Sequence, residues 1–361
     1  MIDFISSRNG RFYSEGKPFR FIGANMYELA NVDSATTGSM LQDAADEGFR
    51  VVRFWNFHPV SKDKLNEICE LAKINNLYLI PVLADTTGYL QSFSIDAEWY
   101  RSGYKETYLP YVKDLVSSFK QAKEILLWEI INEPFTDSFQ DIFNFAKEVS
   151  ETISAADPNH LISIGTIGGI GDKFGNSFSR FSLSNFEKLY SIKTLDAVSL
   201  HDYSFGSTLL ERLDIYNRLK GLHNTSNKYS ALSDFINYFP DMIDKFTLKS
   251  FNKTFDFPLT LRSIWKKYNS MNLAAAKKLS KPVYIGEVGF KKSLNEMRKI
   301  VMEKELREYF NSDISGVLLW SFESQKDQSM VMIMDLIRMT SLEKLFGFLI
   351  FHPPCRIDFL K

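Results

Sequence analysis

The chain has 361 residues, of which 45% are hydrophobic, 14% aromatic and 24% charged, and its formal net charge at pH 7 is −1. These values are ordinary for a globular protein, and the balanced charge argues against a nucleic acid or an anionic membrane surface as partner. The two cysteines, Cys69 and Cys355, predict neither a disulfide framework nor a metal site, and no apolar run is long enough to span a bilayer.

Eight short apolar runs follow one another along the chain. They are rich in β-branched and aromatic residues and are nearly unbroken by polar residues, which predicts strands buried on both faces of a parallel sheet. In chain order the runs are 19–27, 49–57, 77–84, 125–133, 160–169, 196–204, 282–290 and 316–323.

Amphipathic stretches with helical spacing lie between these runs, at 62–75, 105–121, 139–156 and 294–311. In 139–156 the apolar residues form one stripe, Asp137 or Ser138 can cap the start, and Asp157 before Pro158 marks the end. Eight alternating strands and helices without a glycine-rich linker predict an α/β fold, a (β/α)8 TIM barrel spanning residues 1–329.

Two segments depart from this alternation. Residues 205–264, after the sixth strand, exceed one crossover helix and are interpreted as an insertion that either shapes the strand-end face or packs at the periphery. The tail 330–361 is apolar where a surface helix would be mixed. A coding sequence that is consistent with its start, Met330 to Asp335, would encode a glycine-containing loop if two bases were removed. We therefore hypothesise that the tail is read out of frame.

Polar and aromatic side chains collect where several predicted strands end. Barrel enzymes place their reacting groups at these carboxyl ends, so the pattern predicts an active site rather than a purely structural barrel. In strand order the residues are Asn25 and Tyr27, Arg53 and Trp55, Asn132 and Glu133, His201 and Tyr203, Glu287, and Trp320.

Glu133 and Glu287 end the fourth and seventh predicted strands, which lie on opposite sides of an eight-stranded ring. Two carboxyl groups that meet over the barrel mouth can divide one reaction, because one donates a proton while the other attacks. At a separation of about 5 to 5.5 Å, such a pair retains the configuration of the sugar it acts on.

Four motifs, in order and spacing, carry a resemblance to a known family. They are Asn132-Glu133-Pro134, His201-x-Tyr203, Gly286-Glu287 and Trp320. Over 12–323 the chain resembles the retaining glycoside hydrolases of family 5, the cellulase and β-mannanase family. The segments FIGANMYEL, VVRFWNF and LLWEIINEP resemble its endo-β-1,4-mannanase branch in particular.

The resemblance implies a role for each matching residue. Glu133 would be the general acid/base and Glu287 the nucleophile. Arg53 and Tyr203 would hold Glu287 ionised, and Asn132 would bind the 2-hydroxyl of the reacting sugar. His201 would line the same subsite, and Trp320 would be the platform beneath the ring. From its place at a strand end, Asn25 is also predicted to bind substrate, while Tyr27 and Trp55 either line sugar subsites or pack beneath the cleft.

The resemblance implies a β-linked polysaccharide or oligosaccharide as partner. No cofactor or metal is predicted, because a metal-dependent barrel hydrolase would need clustered His and Asp at strand ends and only His201 lies at a clear strand end. A β-1,4-glucanase remains open because mannose and glucose differ at the 2-hydroxyl. An exo-acting β-mannosidase remains open if the insertion 205–264 blocks one end of the cleft. A carbohydrate-binding barrel without catalysis is the non-enzymatic alternative. The N-terminus lacks a secretion signal, which leaves localisation open between the cytoplasm and a secreted protein without its leader; oligomeric state is also open.

Overall fold

The computed structural model describes residues 2–57, 60–86, 94–169, 182–202, 261–289 and 296–322. The strands in these ranges are β1 (Ser6–Arg8), β2 (Arg11–Ser14), β3 (Lys17–Phe19), β4 (Phe21–Asn25), β5 (Val51–Trp55), β6 (Tyr78–Val82), β7 (Leu127–Asn132), β8 (Leu161–Gly165), β9 (Val198–Asp202), β10 (Val283–Gly289) and β11 (Gly316–Trp320). The helices are α1 (Ser34–Asp46), α2 (Lys62–Ile74), α3 (Ala97–Arg101), α4 (Tyr108–Phe119), α5 (Phe139–Ala156), α6 (Leu183–Tyr190), α7 (Leu261–Lys278) and α8 (Glu296–Asn311), with a short 3-10 helix at Gly103–Lys105.

Strands β4 to β11 form the barrel. They pair in parallel in the order β8-β7-β6-β5-β4-β11-β10-β9. The barrel closes between the β8 and β9 segments. There the N–H of Asp196 donates to the Ile162 carbonyl at 2.7 Å, and the N–H of His201 donates to the Thr166 carbonyl at 2.9 Å. All eight predicted strands are present, so the predicted (β/α)8 barrel is confirmed.

Five helices, α1, α2, α3, α5 and α6, begin at a side chain that caps them. The Ser138 side chain accepts a hydrogen bond from the backbone N–H of Asp141 at the start of α5, and α5 ends at Ala156 beside Asp157. Of the two predicted caps, Ser138 is therefore the one used. The apolar faces of the helices pack on the outward faces of the strands, forming the larger of the two main cores.

An antiparallel sheet of β1, β2 and β3, which was not predicted from the sequence, precedes the barrel. Its residues Phe12 and Phe19 share a core with Phe21, Tyr78 and Leu318, which lie on the inward faces of barrel strands. The three short strands therefore close the barrel at the end where its strands begin, and leave the opposite end for the site.

The inward faces of the strands change in character along the barrel axis. On β4 and β5, Phe21 and Val51 belong to the apolar core at the strand starts. One inward position further on β5 lies Arg53, which is fully buried, and one more brings Trp55 into a separate aromatic cluster. The interior thus passes from apolar to charged to aromatic towards the carboxyl ends of the strands.

Several expectations lie outside the described residues: Tyr203, residues 205–260 of the predicted insertion, and the tail 330–361. The last four residues of the predicted insertion, 261–264, begin α7. The domain limits and the frame-shift hypothesis therefore stay predictions. In the part of the chain that the structure describes, no helix has the length and apolar character required to cross a membrane.

Candidate active site

Glu133 directly follows β7, and its backbone has a left-handed conformation with φ of 44°. Such a conformation is uncommon for a residue with a side chain and costs on the order of 1–3 kcal/mol. The surroundings hold it in place, because the Glu133 N–H donates to the Gly165 carbonyl at 2.9 Å. The turn directs the Glu133 carboxylate towards His201 on β9, where Oε1 lies 2.8 Å from Nδ1.

Glu287 lies within β10 at an irregularity of the sheet. The pairing of β10 shifts register after Ile285 against both β9 and β11. A bulge of this kind re-aims a side chain that regular alternation would point elsewhere. The Glu287 side chain is almost completely buried, with 4% exposure, whereas that of Glu133 has 16%.

The two carboxylates converge on one histidine. His201 Nδ1 lies 2.8 Å from Glu133 Oε1 and 3.7 Å from Glu287 Oε1. One carboxylate oxygen of each acid and one ring nitrogen of His201 all lie within 4.8 Å of one another, so the two acids face each other across the barrel mouth. This spacing is close to the separation that a double displacement at a sugar requires, about 5 to 5.5 Å between carboxyl groups.

The His201 ring is fully enclosed, and its pKa reflects competing effects. Burial lowers the pKa, but the negative charges of Glu287 and Glu133 outweigh it, and the result lies above the usual 6.5. Gly286 gives the ring its space, since a Cβ there would lie 2.9 Å from His201 Nε2 and 2.4 Å from Ser199 Oγ. The glycine before Glu287 therefore has a packing role in the site.

Arg53 is the central cation of the site and has no exposed surface. Its Nη1 donates to Glu287 Oε1 and to Asn25 Oδ1, both at 2.7 Å. Its Nη2 donates to Asn132 Oδ1 at 2.7 Å and to Glu129 Oε1 at 2.5 Å. Burial lowers the pKa of Arg53, but Glu129 and Glu287 more than compensate and raise it, so the side chain stays charged.

The two asparagines are held by the same network. Asn25 Nδ2 donates to the carbonyl of Gly286 at 3.0 Å, which connects β4 to the residue before Glu287. Asn132 Nδ2 donates to Asp85 Oδ1 at 2.9 Å. Asn25 is fully enclosed and Asn132 is 6% exposed, so Asn25 contacts protein groups while Asn132 reaches the edge of the cleft.

The predicted aromatic residues form one wall beside the carboxylates. Trp320 stacks on Tyr27 with ring centroids 5.7 Å apart and an interplanar angle of 14°. Trp55 packs against Trp320 at 5.7 Å, and its ring lies 4.7 Å from the Arg53 guanidinium carbon. Trp320 is the partly exposed member, with Tyr27 and Trp55 buried around it. Trp320 therefore presents the accessible aromatic surface.

Glu133, His201 and Glu287 are also the one set of three His, Cys, Asp or Glu side chains, among those described, with the spacing of metal ligands. Arg53 donates to Glu287 at 2.7 Å, and a cation in that position opposes a second cation beside it. The arrangement fits a pair of acids with a shared histidine better than a set of metal ligands.

Glu129, Tyr284 and Gly165 also belong to the site but were not among the residues predicted from the sequence. Glu129 is fully buried in β7 and forms hydrogen bonds with Arg53 and with the hydroxyl of Tyr284. Gly165 leaves room for this carboxylate, because a Cβ there would lie 2.4 Å from Glu129 Oε1. The available signal was a charged residue inside an otherwise apolar strand, since a buried charge needs a partner.

The structure therefore places nine of the ten predicted site residues around one cleft. They are Asn25, Tyr27, Arg53, Trp55, Asn132, Glu133, His201, Glu287 and Trp320. Tyr203, the tenth, lies outside the described residues.

Solved structures share this fold. An endo-β-1,4-mannanase from Thermotoga petrophila aligns with a TM-score of 0.66 and 19% identity over 94% of this chain and 79% of that one. An endoglucanase from Thermobifida fusca aligns with a TM-score of 0.52 and 16% identity over 88% and 84% of the two chains. At these identities the likeness concerns the barrel architecture.

Curated relatives are similar in sequence over part of their length. A mannan endo-1,4-β-mannosidase A from Podospora anserina is 26% identical over 235 residues, 54% of this chain and 62% of the relative. A probable mannan endo-1,4-β-mannosidase F from Neosartorya fischeri is 23% identical over 244 residues, covering 56% and 54%. The chain thus spans less than two thirds of each.

The profile of one family, described as cellulase (glycosyl hydrolase family 5), matches residues 12–326. The chain belongs to the cellulase family, glycosyl hydrolase family 5.

Proposed function

We propose that the protein is a retaining glycoside hydrolase that cleaves β-1,4-mannosidic bonds of mannan-type polysaccharides by double displacement. One observation carries the proposal: Glu133 and Glu287 approach to within 4.8 Å across the barrel mouth and share His201. The family of the chain supports the reaction class.

In the first step Glu287 attacks the anomeric carbon. A bond forms between a carboxylate oxygen and that carbon as the glycosidic carbon–oxygen bond breaks, and the departing oxygen takes the proton of Glu133. Protonation matters because a sugar alkoxide is a poor leaving group. The products of this step are the shortened polysaccharide, a glycosyl ester on Glu287 and a Glu133 carboxylate.

In the second step water replaces Glu287. Glu133 takes a proton from the water, the water oxygen bonds to the anomeric carbon, and the ester bond breaks to restore the Glu287 carboxylate. Two inversions at one carbon give net retention. The greater exposure of Glu133, 16% against 4%, suits the residue that must exchange protons with leaving group and water.

Arg53 and Asn25 are positioned to prepare the nucleophile. The guanidinium at 2.7 Å favours the ionised form of Glu287, and Asn25 fixes the guanidinium and the Gly286 carbonyl together. His201, with its hydrogen bond to Glu133, orients the acid. Tyr203, two residues further along, is proposed as the additional donor to Glu287 that the family resemblance implies.

The remaining groups are proposed to bind the sugar. Asn132 uses one hydrogen of Nδ2 for Asp85, and the amide carries a second hydrogen that the 2-hydroxyl can accept. Trp320 offers its accessible face to the sugar ring, because Tyr27 covers the other face. Aromatic faces suit the apolar side of a pyranose, and Trp55 supports the platform from below.

Among the possible substrates we propose mannan, because the curated relatives are named mannan endo-1,4-β-mannosidases. A β-1,4-glucanase is the second candidate, favoured by the structural likeness to an endoglucanase. An exo-acting β-mannosidase and a non-catalytic carbohydrate-binding barrel are the further alternatives.

Release of reducing sugar from mannan, carboxymethylcellulose and xylan separates these candidates, with Glu287→Ala as the control for contaminating activity. We expect release from mannan, a loss with the variant, and a product that first appears as the β-anomer in NMR spectra. Release of monosaccharide as the sole product would indicate exo action. Binding without release would favour the non-catalytic barrel, and an inverted product would exclude double displacement.

A further inference from the structure

Glu129 lies in the middle of β7, four residues before Glu133, with no exposed surface. We propose that Glu129 is the permanent counterion of Arg53 and thereby a positioning residue that sets how strongly the arginine holds the nucleophile. The inference rests on the proposed glycosidase function and assigns a role that this reaction scheme does not otherwise contain.

The first support is the completeness of the contacts around Arg53. Nε faces the Glu129 carboxylate at 3.1 and 3.3 Å, and Nη2 lies 2.5 Å from its Oε1. The other acceptors are Asn132, Asn25 and Glu287, each at 2.7 Å. Glu129 takes the side-on edge of the guanidinium in a two-point geometry, whereas Glu287 receives a single Nη1–H bond.

The second support is that the barrel is shaped around Glu129. The Tyr284 hydroxyl donates to Glu129 Oε2 at 2.8 Å, and burial with the nearby Glu129 charge holds the pKa of Tyr284 above its usual value. Tyr284 is therefore a constant donor. Gly165 leaves the space that the carboxylate fills, since its Cβ would meet Oε1 at 2.4 Å.

The third support is the charge balance of the reaction. In the free enzyme two carboxylates, Glu129 and Glu287, share one guanidinium. When Glu287 becomes an ester it loses its charge, while the proton given up by Glu133 leaves a charge there instead. Arg53 would then be a buried cation without an anion in contact if Glu129 were absent, and such a charge is costly. Glu129 keeps Arg53 paired in every state of the cycle.

The charged and titratable groups around the nucleophile come from several strands. Arg53 on β5 and His201 on β9 face Glu287 directly, and Glu133 shares the histidine. Tyr284 on β10 is linked to Glu287 through Glu129 and Arg53.

Around the counterion itself, Tyr190 of α6 lies near Glu129. Burial and the charge of Glu129 both raise the pKa of Tyr190. Asp85, beyond β6, is separated from Arg53 by the neutral amide of Asn132. Tyr203 lies outside the described residues.

Glu129→Gln removes the counterion charge with almost no change in shape. The full charge of Arg53 then acts on Glu287, so the acid limb of the kcat/KM profile should move to lower pH by about one unit. Formation of the glycosyl ester should slow by about 10- to 100-fold, because that step now leaves Arg53 unpaired. Hydrolysis of the ester restores the pair and should slow less.

The experiment uses the dinitrophenyl β-glycoside that matches the polysaccharide cleaved by the wild-type protein. Stopped-flow release of dinitrophenolate should show an initial burst in the wild type and none in Glu129→Gln. Glu129→Asp keeps the charge and should keep the wild-type acid limb. An unmoved or raised limb in Glu129→Gln, or equal slowing of both steps, would overturn the inference.

A second variant covers failure of Glu129→Gln to fold, as judged by circular dichroism. Tyr284→Phe removes the donor to Glu129, which strengthens the counterion and should move the acid limb slightly to higher pH. Tyr190→Phe removes another buried hydroxyl, one that donates to the carbonyls of Ile164 and Ser199 instead, and should leave the limb unmoved. The proposal is overturned if the acid limb of Tyr284→Phe stays at the wild-type pH or moves to lower pH. It is also overturned if the acid limb shifts equally in Tyr284→Phe and Tyr190→Phe. Wild-type protein inactive on every substrate would instead refute the proposed function.

Discussion

The two ends of the barrel interior are built from opposite kinds of side chain. At the end where the strands begin, Phe12, Phe19 and Phe21 pack together, with ring centroids of neighbouring pairs 5.9 and 6.2 Å apart. Near the carboxyl ends, the same interior holds Arg53 between Glu129 and Glu287. On β5 the two layers are one inward-facing position apart, from Val51 in the apolar layer to Arg53 in the charged layer.

This difference separates stability from reactivity along a single axis. Apolar burial at the closed end stabilises the fold without depending on pH. The charged layer contributes little net stability, because burying ions costs about as much as their pairing returns. Its value is that a fixed cation and fixed donors surround the nucleophile before substrate binds. Substitutions at the two ends should therefore change different measurable quantities.

The largest contrast is expected between Glu287→Gln and Phe21→Ala. Glu287→Gln removes the nucleophile and should lower kcat on polysaccharide by at least about 10⁴-fold, with the melting temperature little changed. Phe21→Ala should lower the free energy of unfolding by about 3–5 kcal/mol, while the pH dependence of kcat/KM in the folded fraction stays as in the wild type. Urea unfolding and initial rates measure both. A Glu287→Gln protein that kept its activity would refute the charged end as the site.

Glu133→Gln comes next, with a loss that depends on the leaving group. Removing the proton donor should slow polysaccharide cleavage by about 10²- to 10⁴-fold. A dinitrophenyl glycoside, whose leaving group needs no proton, should lose far less in ester formation. The ratio of the two losses is the measurement, and equal losses would show that Glu133 does not protonate the leaving oxygen.

A matched pair of glycines compares the ends by the same chemical change. The added Cβ of Gly165→Ala would lie 2.4 Å from Glu129 Oε1, and that of Gly316→Ala would lie 2.1 Å from the Phe21 ring. Each overpacked site should cost about 1–3 kcal/mol of unfolding free energy. Only Gly165→Ala displaces the Arg53 pair, so it alone should lower kcat/KM, by about tenfold. Similar kinetics for both variants would contradict the separation of the two ends.

The barrel could be predicted from the sequence because each strand is short, apolar and followed by a stretch with helical spacing. The sequence also predicted that Glu133 and Glu287 meet at the barrel mouth, since polar residues at strand ends stand out from an apolar background; their catalytic roles stay a prediction. Glu129 shows the limit of this reasoning. It lies on the same strand as Glu133, but its partner Arg53 is 76 residues away in sequence, and no local pattern joins them.

Two other features were beyond local patterns for related reasons. The sheet of β1 to β3 has strands of three or four residues, too short for alternation to be distinctive. The register shift that aims Glu287 depends on the neighbouring strands, because a bulge is a mismatch between two partners. Both belong to tertiary pairing rather than to the chemistry of one segment.

The smallest expected effect concerns the pH dependence of stability at the charged end. The pKa of His201 in the folded protein lies above 6.5, since the carboxylates of Glu287 and Glu133 outweigh the effect of burial. The folded state therefore binds the proton more tightly, and this contribution is present below about pH 6.5 and lost as pH rises through the raised pKa. The stability difference between wild type and His201→Asn should accordingly narrow as pH increases from 6 to 9. Phe21→Leu, at the apolar end, should give a difference that is constant over the same range, and a His201→Asn difference that widened with pH would contradict the assigned sign.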